Sequence, residues 1–203
     1  MPSAPTTRLE DAGTVRRRPQ PLLSHRAGLI GQRGTGTKKN TARECTMNAR
    51  LKLLESPVAA KALKHVIAAG SALAESTLPL ATQELVRLRA SQINGCAGCI
   101  DMHTKEAAHA GETAVRLSLV AAWREATVFT DAERAALELT EQGTRIADAA
   151  GGVPDEVWAN AAKYYDDEQL AALVCVIAVI NAFNRLNVIV QQPAGDYQVG
   201  MYG

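Results

Sequence analysis

From Met47 to about position 190, apolar residues recur every three or four positions, and caps, prolines and glycines divide the run into segments. Ser56-Pro57 reads as a cap followed by proline at the first helical position, opening a helix that runs towards Ala74. Leu78-Pro79 breaks the chain, and a second helix is predicted over about residues 81–93. Its Leu85, Leu88 and Ser91 or Ala90 fall on one side, with Arg87 and Arg89 on others. Asn94-Gly95 ends it. A third helix is predicted from about Cys96 to near Gly111, and a fourth over about residues 112–126. Thr130-Asp131-Ala132-Glu133 is a capping box, so a fifth starts there, to end before Gly151-Gly152. Val153-Pro154 opens a sixth. Asp166-Asp167 caps a last long helix over about residues 167–190, and no period survives beyond Gln191. No internal repeat and no βαβ unit is visible.

Composition supports this reading. The 203 residues are 47% apolar but only 4% aromatic, alanine and leucine dominate, and Val/Ile/Thr alternation is scarce. The expected fold is all-α, a compact bundle of about six to seven helices occupying residues 47–203. Residues 1–46 differ: four prolines, five glycines, the run Arg16-Arg17-Arg18 and no periodicity predict a disordered basic extension. It reads best as a leader upstream of a functional start at Met47. A flexible tail and an organelle transit peptide are the other readings, and the prolines oppose the latter.

The net charge of +1 divides unevenly, at about +6 over residues 1–46 and about −5 over the remainder. A mildly acidic domain with no basic stripe is not expected to bind nucleic acid. Residues 170–190 begin with eleven apolar residues, but Asn181, Asn184, Arg185 and Asn187 interrupt them. The segment is expected to be a buried core or subunit-interface helix rather than a membrane span. The four cysteines, Cys45, Cys96, Cys99 and Cys175, are too few for a secreted disulfide scaffold, and no apolar signal segment opens the chain. A cytoplasmic location is expected.

Candidate chemistry concentrates at Cys96-Ala97-Gly98-Cys99 and His103. On a helix, these three side chains lie at about 0°, 300° and 340°, on one face. A disulfide across three residues is geometrically acceptable at a helix start, where the Cα atoms are about 5 Å apart. Asn94 or Gly95 is the expected cap, so the thiols occupy the first turn or two. Free N–H groups and the helix dipole there favour thiolate, the reactive form. His103 supplies a group that takes or returns a proton near neutral pH. A reactive thiolate beside a resolving thiol is what peroxide reduction requires. Three other readings of the motif stay open. It could be part of a zinc site with His103 and either Glu84 or His109, although no second C-x-x-C completes it. It could be a thioredoxin-type motif, which needs strands. It could be a pair of core cysteines beside a solvent-facing histidine.

The segment from Glu84 through Cys96, Cys99 and His103 resembles the core of the AhpD-like alkylhydroperoxidases of the carboxymuconolactone decarboxylase superfamily. The pattern is a glutamate, eleven residues, then C-x-x-C-x-x-x-H. Likeness continues through Thr104 to Ala107, Ala122 to Glu125 and Ile180 to Arg185, spanning about residues 47–193. The resemblance implies an all-helical homo-oligomer (trimer or hexamer) with thiol peroxidase activity towards alkyl hydroperoxides. It implies Cys99 as the attacking thiolate, Cys96 as the resolving thiol, and His103 with Glu84 as a proton relay. Glu84 rests on the resemblance alone, since helical phase does not carry across Asn94-Gly95; taken by itself it reads as an exposed helix glutamate. The implied partner is a dithiol electron donor, such as a lipoyl-bearing protein, with no metal or other cofactor. One departure is Gly98, where better-studied AhpD proteins carry a second histidine. Lactone decarboxylases of the superfamily lack the paired cysteines, so that activity is not expected. The alternative function is a non-peroxidatic disulfide oxidoreductase or redox sensor, and a metal-bound structural oligomer ranks below it.

Elsewhere, Trp123 is expected in the core rather than lining the pocket, and Asn181, Asn184 and Arg185 are expected to tie subunits together rather than border the site. Cys175 is expected as an inert core thiol, with His65 and His109 at the surface.

Overall fold

The computed structural model describes residues 47–201. The disorder expected for residues 1–46, and Cys45 with it, lies outside the described residues. Those residues form seven α-helices and two short 3-10 turns, and no strand occurs among them.

Helix α1, Pro57–Ala74, follows a 3-10 turn at Leu53–Glu55. Pro57 takes the first helical position as expected, but Ser56 makes no side-chain cap bond. Helix α2 is Leu80–Asn94, entered through the break at Pro79. The buried Gln83 amide fastens that entry, donating to the Leu73 and Leu78 carbonyls at 3.0 Å each. Helix α3 is Ala97–His109.

Helix α4 is shorter than predicted. It covers Ala114–Leu119, continues as a 3-10 turn at Val120–Ala122, and stops. The Arg134 guanidinium takes up the carbonyls thus freed, those of Trp123, Arg124 and Ala126, at 2.9–3.0 Å. Side-chain donors therefore satisfy this stretch, and it does not need helical bonds. Helix α5, Asp131–Thr144, opens with the predicted Thr130/Glu133 capping box, but ends well before Gly151-Gly152; turns fill the interval. Helix α6 is Asp155–Ala161, and α7 is Asp167–Val190, started by a second capping box between Asp166 and Gln169.

Helix α2 occupies the middle of the packing, against α3, α5 and α7. It buries residues in several directions: Val86 towards Leu139 and Leu173, Leu85 and Leu88 towards Trp123 and Leu137, and Ala90 towards Ile180. Cys96 and Cys99 belong to this last cluster. Helix α7 is long and apolar enough to cross a membrane, by length and composition only. In this fold Leu173, Val176, Ile177 and Ile180 pack it into the helical core, whereas Val174, Val188 and Ile189 are exposed. Cys175 is also exposed, contrary to the expected core thiol. A helix that is apolar on all sides carries no phase from which an inward side can be read.

Asn181 and Asn184 are buried and lie within one chain's own packing. Asn94 donates to both their side-chain oxygens, at 2.9 and 2.8 Å, and Asn184 donates to Ser91 at 3.0 Å. They tie α7 to the last turn of α2 within one chain, where the sequence suggested a tie between subunits.

Glu141 of α5 is a polar junction with four partners. It accepts from Arg89 and from the Trp123 indole at 2.8 Å each, from Arg145 at 3.3 Å, and from Arg124. Trp123 is buried as expected, with the Arg124 and Arg134 guanidinium groups over its ring. Burial pushes the Glu141 carboxyl up, but hydrogen bonds from Arg124, Trp123 and Arg89 outweigh it and bring the pKa from 4.5 down to about 2. A carboxyl depressed on folding adds stability above its unfolded pKa and loses it as pH falls through the folded value. The contribution is on the order of 3 kcal/mol. Glu141→Gln should therefore be markedly destabilised at pH 7, and urea unfolding should show the gap to the parent closing as pH falls from about 5 towards 2. A gap that stays constant with pH would contradict this.

Candidate active site

The site is built on a two-residue hinge. Gly95 adopts a left-handed conformation, φ 66°, at the end of α2. Its N–H bonds the Gln92 carbonyl at 3.3 Å, and the Cys96 N–H reaches back to Ser91 at 3.0 Å. This is the Schellman ending that glycine permits without a steric penalty. Cys96 is at the same time the N-cap of α3, and its sulfur accepts the Cys99 N–H at 3.4 Å. The cap is thus Cys96 itself, not Asn94 or Gly95, and α3 begins with no spare residue.

Cys96 and Cys99 are joined as a disulfide with Cα atoms 5.4 Å apart. Both are buried, at 1% and 2% exposure. Further along α3, His103 Nδ1 lies 2.8 Å from Glu84 Oε2 of α2. Arg87 holds the second carboxylate oxygen at 2.5 Å and spans to Gln83 Oε1 at 2.8 Å. The Glu84 side chain is only 14% exposed, so the exposed helix glutamate of the isolated reading is corrected. Burial pushes its carboxyl up, yet the hydrogen bond and charge of His103, with the Arg87 guanidinium, hold it below the usual carboxylate range. Glu84 is therefore an acceptor at neutral pH, and Nδ1 of His103 must be the donor. That leaves Nε2 for proton exchange. Among the described residues no hydrogen bond joins the His103 ring to either sulfur.

The structure thus brings the four predicted residues together as two pairs, Cys96 with Cys99 and Glu84 with His103. Among the described residues, no group of three or more His, Cys, Asp or Glu could hold a metal ion. His109 and His65 are exposed as expected.

Sequence reasoning missed two parts of the site. Asn187 of α7 donates from Nδ2 to the Cys99 sulfur at 3.3 Å. Its signal was present, as a polar interruption of an apolar run. The segment after α7 has no such signal. Gln191 turns in a left-handed conformation, φ 55°, and the chain passes back along α3. Asp101 accepts the Gly195 N–H at 2.8 Å, and Lys105 donates to the Gly195 and Tyr197 carbonyls. Glu106 accepts from the Tyr197 hydroxyl and, at 3.0 Å, from the Gly200 N–H. The strap lies over Gly98, where an added Cβ would sit 3.5 Å from the Pro193 carbonyl oxygen and 3.7 Å from Gln192 Cγ.

The family model for carboxymuconolactone decarboxylases matches residues 59–142. The chain is 43% identical over 114 residues to the uncharacterized protein YdfG of Bacillus subtilis, covering 56% of this chain and 76% of YdfG. ATU0492 of Agrobacterium tumefaciens, a protein of unknown function likened to the antioxidant defence protein AhpD, superposes with a TM-score of 0.68. It is 34% identical, and the match covers 74% of this chain and all of ATU0492. The chain belongs to the carboxymuconolactone decarboxylase family, as an AhpD-like member. This AhpD-like protein also shares its fold, at 18% identity and a TM-score of 0.60, with the debrominase Bmp8, over 70% of this chain and 73% of Bmp8.

Position 98 offers a direct check on the strap. A Cβ there meets only ordinary van der Waals contacts, so Gly98→Ala should be neutral or stabilising, by up to about 1 kcal/mol from helix propensity. An imidazole has no such room. Gly98→His should displace residues 191–201, read as faster amide hydrogen exchange there than in the parent; unchanged exchange would count against the packing.

Proposed function

We propose that the protein is a thiol-dependent peroxidase that reduces alkyl hydroperoxides through a Cys96–Cys99 disulfide cycle. The observation that carries this reading is the buried disulfide at the start of α3, with His103 of the same helix hydrogen-bonded to Glu84 of α2. Membership of a family with AhpD-like relatives supports it.

In the proposed cycle the Cys99 thiolate attacks one oxygen of the hydroperoxide. The O–O bond breaks, the departing alkoxide takes a proton and leaves as the alcohol, and Cys99 becomes a sulfenic acid. The Cys96 sulfur then attacks the Cys99 sulfur, the S–O bond breaks, and water leaves as the disulfide forms. A dithiol donor, of the kind a lipoyl-bearing protein carries, returns two electrons and two protons and is itself oxidised. His103 is assigned the proton transfers through Nε2, and Glu84 holds its ring and stabilises the imidazolium. A pair that must be reduced each turnover suits the cytoplasm. Homo-oligomerisation as a trimer or hexamer is part of the proposal, supported by Val174, Val188 and Ile189 exposed along α7. Neither nucleic acid nor membrane is a proposed partner.

Reduced protein given one equivalent of cumene hydroperoxide should lose two hydrogens at the Cys96/Cys99 peptide, by mass spectrometry. Cys99→Ser should not consume the peroxide, and Cys96→Ser should stop at the sulfenic acid. Glu84→Gln should slow turnover with dihydrolipoamide by about 10²-fold, the scale of a lost proton-transfer partner. If Cys99→Ser matched the parent, the peroxidase reading would fail. A pair that exchanged with dithiols but ignored peroxides would favour a disulfide oxidoreductase or redox sensor instead.

Light scattering should report at least three chains per particle; a monomer at micromolar concentration would remove the oligomer from the proposal.

A further inference from the structure

We propose that Asn187 is a positioning residue for Cys99: its side-chain amide donates the hydrogen bond that stabilises the Cys99 thiolate. The purpose of this bond rests on the peroxidase reading, but its existence and its test do not.

A thiolate needs donors, and a buried one cannot take them from water. Cys99 is 2% exposed. The start of α3 would ordinarily supply backbone N–H groups, but the Cys99 N–H is committed to the Cys96 sulfur at 3.4 Å. The helix end therefore serves Cys96. The Cys99 sulfur has a different donor, Asn187 Nδ2 at 3.3 Å, which arrives from another helix. The disulfide sulfur carries no proton and can only accept, so the direction of the bond is settled.

The placement of Asn187 follows from the packing around it. Asn181, Asn184 and Asn187 recur at three-residue spacing along α7. The first two are pinned by Asn94, the last residue of α2, next to the hinge that positions the cysteines. The Asn187 carbonyl accepts the Gln192 N–H at 2.9 Å, which closes the end of α7 at the same point. One set of amide contacts thus registers the donor on α7 against the acceptor on α3.

The charged groups on the surrounding elements are otherwise engaged. On α2, Glu84 and Arg87 pair with each other, and Glu84 with His103. On α3, Asp101 and Lys105 pair with each other. On α7, Arg185 donates to Asn181, at the carbonyl oxygen and the side-chain oxygen. Asn187 differs from all of these in touching the sulfur itself.

The test uses the full chain carrying Cys96→Ser, so that Cys99 is the remaining thiol of the pair. Its alkylation by iodoacetamide is followed against pH by peptide mass spectrometry, with the exposed Cys175 as an internal reference. Asn187→Leu, which removes the donor, should raise the Cys99 midpoint by about one pH unit, a tenfold loss of rate below the midpoint. Asn187→Asp, which places a carboxylate against the sulfur, should raise it further. The Cys175 midpoint should not move. A Cys99 midpoint equal to the parent's in both variants would overturn the proposal, including where alkylation is slower by the same factor at every pH. If the midpoint moves as expected but the parent reduces no peroxide, the peroxidase reading falls and the role of Asn187 stands. If peroxides are reduced and the midpoint does not move, the reverse holds.

Discussion

The left-handed turn at Gly95 is the constraint on which the site depends. A Schellman ending spends the Gly95 and Cys96 N–H groups on α2, and Cys96 then caps α3 with its own sulfur. Two helices are joined with no linker to absorb error. Any residue with a Cβ at position 95 would be strained at φ 66°. Relaxing that strain would move the start of α3 and with it Cys99 and His103. The hinge also sets the crossing of α2 and α3, which is what lets Glu84, three turns back along α2, meet a histidine two turns along α3.

The rest of the molecule holds the two arms of that hinge. Helix α2 is packed by α5 and α7 as well as α3, and the Glu141 junction clamps it through Arg89 to the Trp123 turn. The Asn94–Asn181–Asn184–Ser91 contacts pin its last turn to α7. Buried amides of this kind stabilise only when each partner is present. They therefore specify one register of α7 against α2 in a way that the interchangeable Val, Ile and Leu side chains of α7 do not.

The helices were legible where caps and breakers are local. Thr130/Glu133, Asp166, Pro57 and Pro79 each act within a turn of their own position, and each boundary they predict is found. The end of α4 was not legible, because Arg134, from the following helix, satisfies its carbonyls. The exposure of Cys175 was not legible, because the run of residues 170–180 around it is apolar on every side. In the site, the cysteines and His103 share one helix, so spacing alone relates them. Glu84 lies across the hinge, and only the family resemblance reached it. Asn187 was visible as a polar residue out of place, but its partner lies 88 positions away in sequence. Contacts of that range are set by packing, not by any local period.

Gly98 links the hinge to the strap. In the oxidised pair both sulfurs are buried, and the Gln192–Pro193 stretch covers the turn that carries them. A small residue there leaves room for the strap, which approaches to van der Waals distance of a Cβ. On the proposed reading, the same glycine removes a proton-transferring group and admits a cover in its place. The cover is held by half-buried Asp101, Lys105 and Glu106 of α3, whereas His103 is held by Glu84 of α2. None of these contacts uses Glu84, Arg87 or His103. On the proposed reading the pair meets both a small hydroperoxide and a larger dithiol donor, and the larger of the two is the one that this cover obstructs.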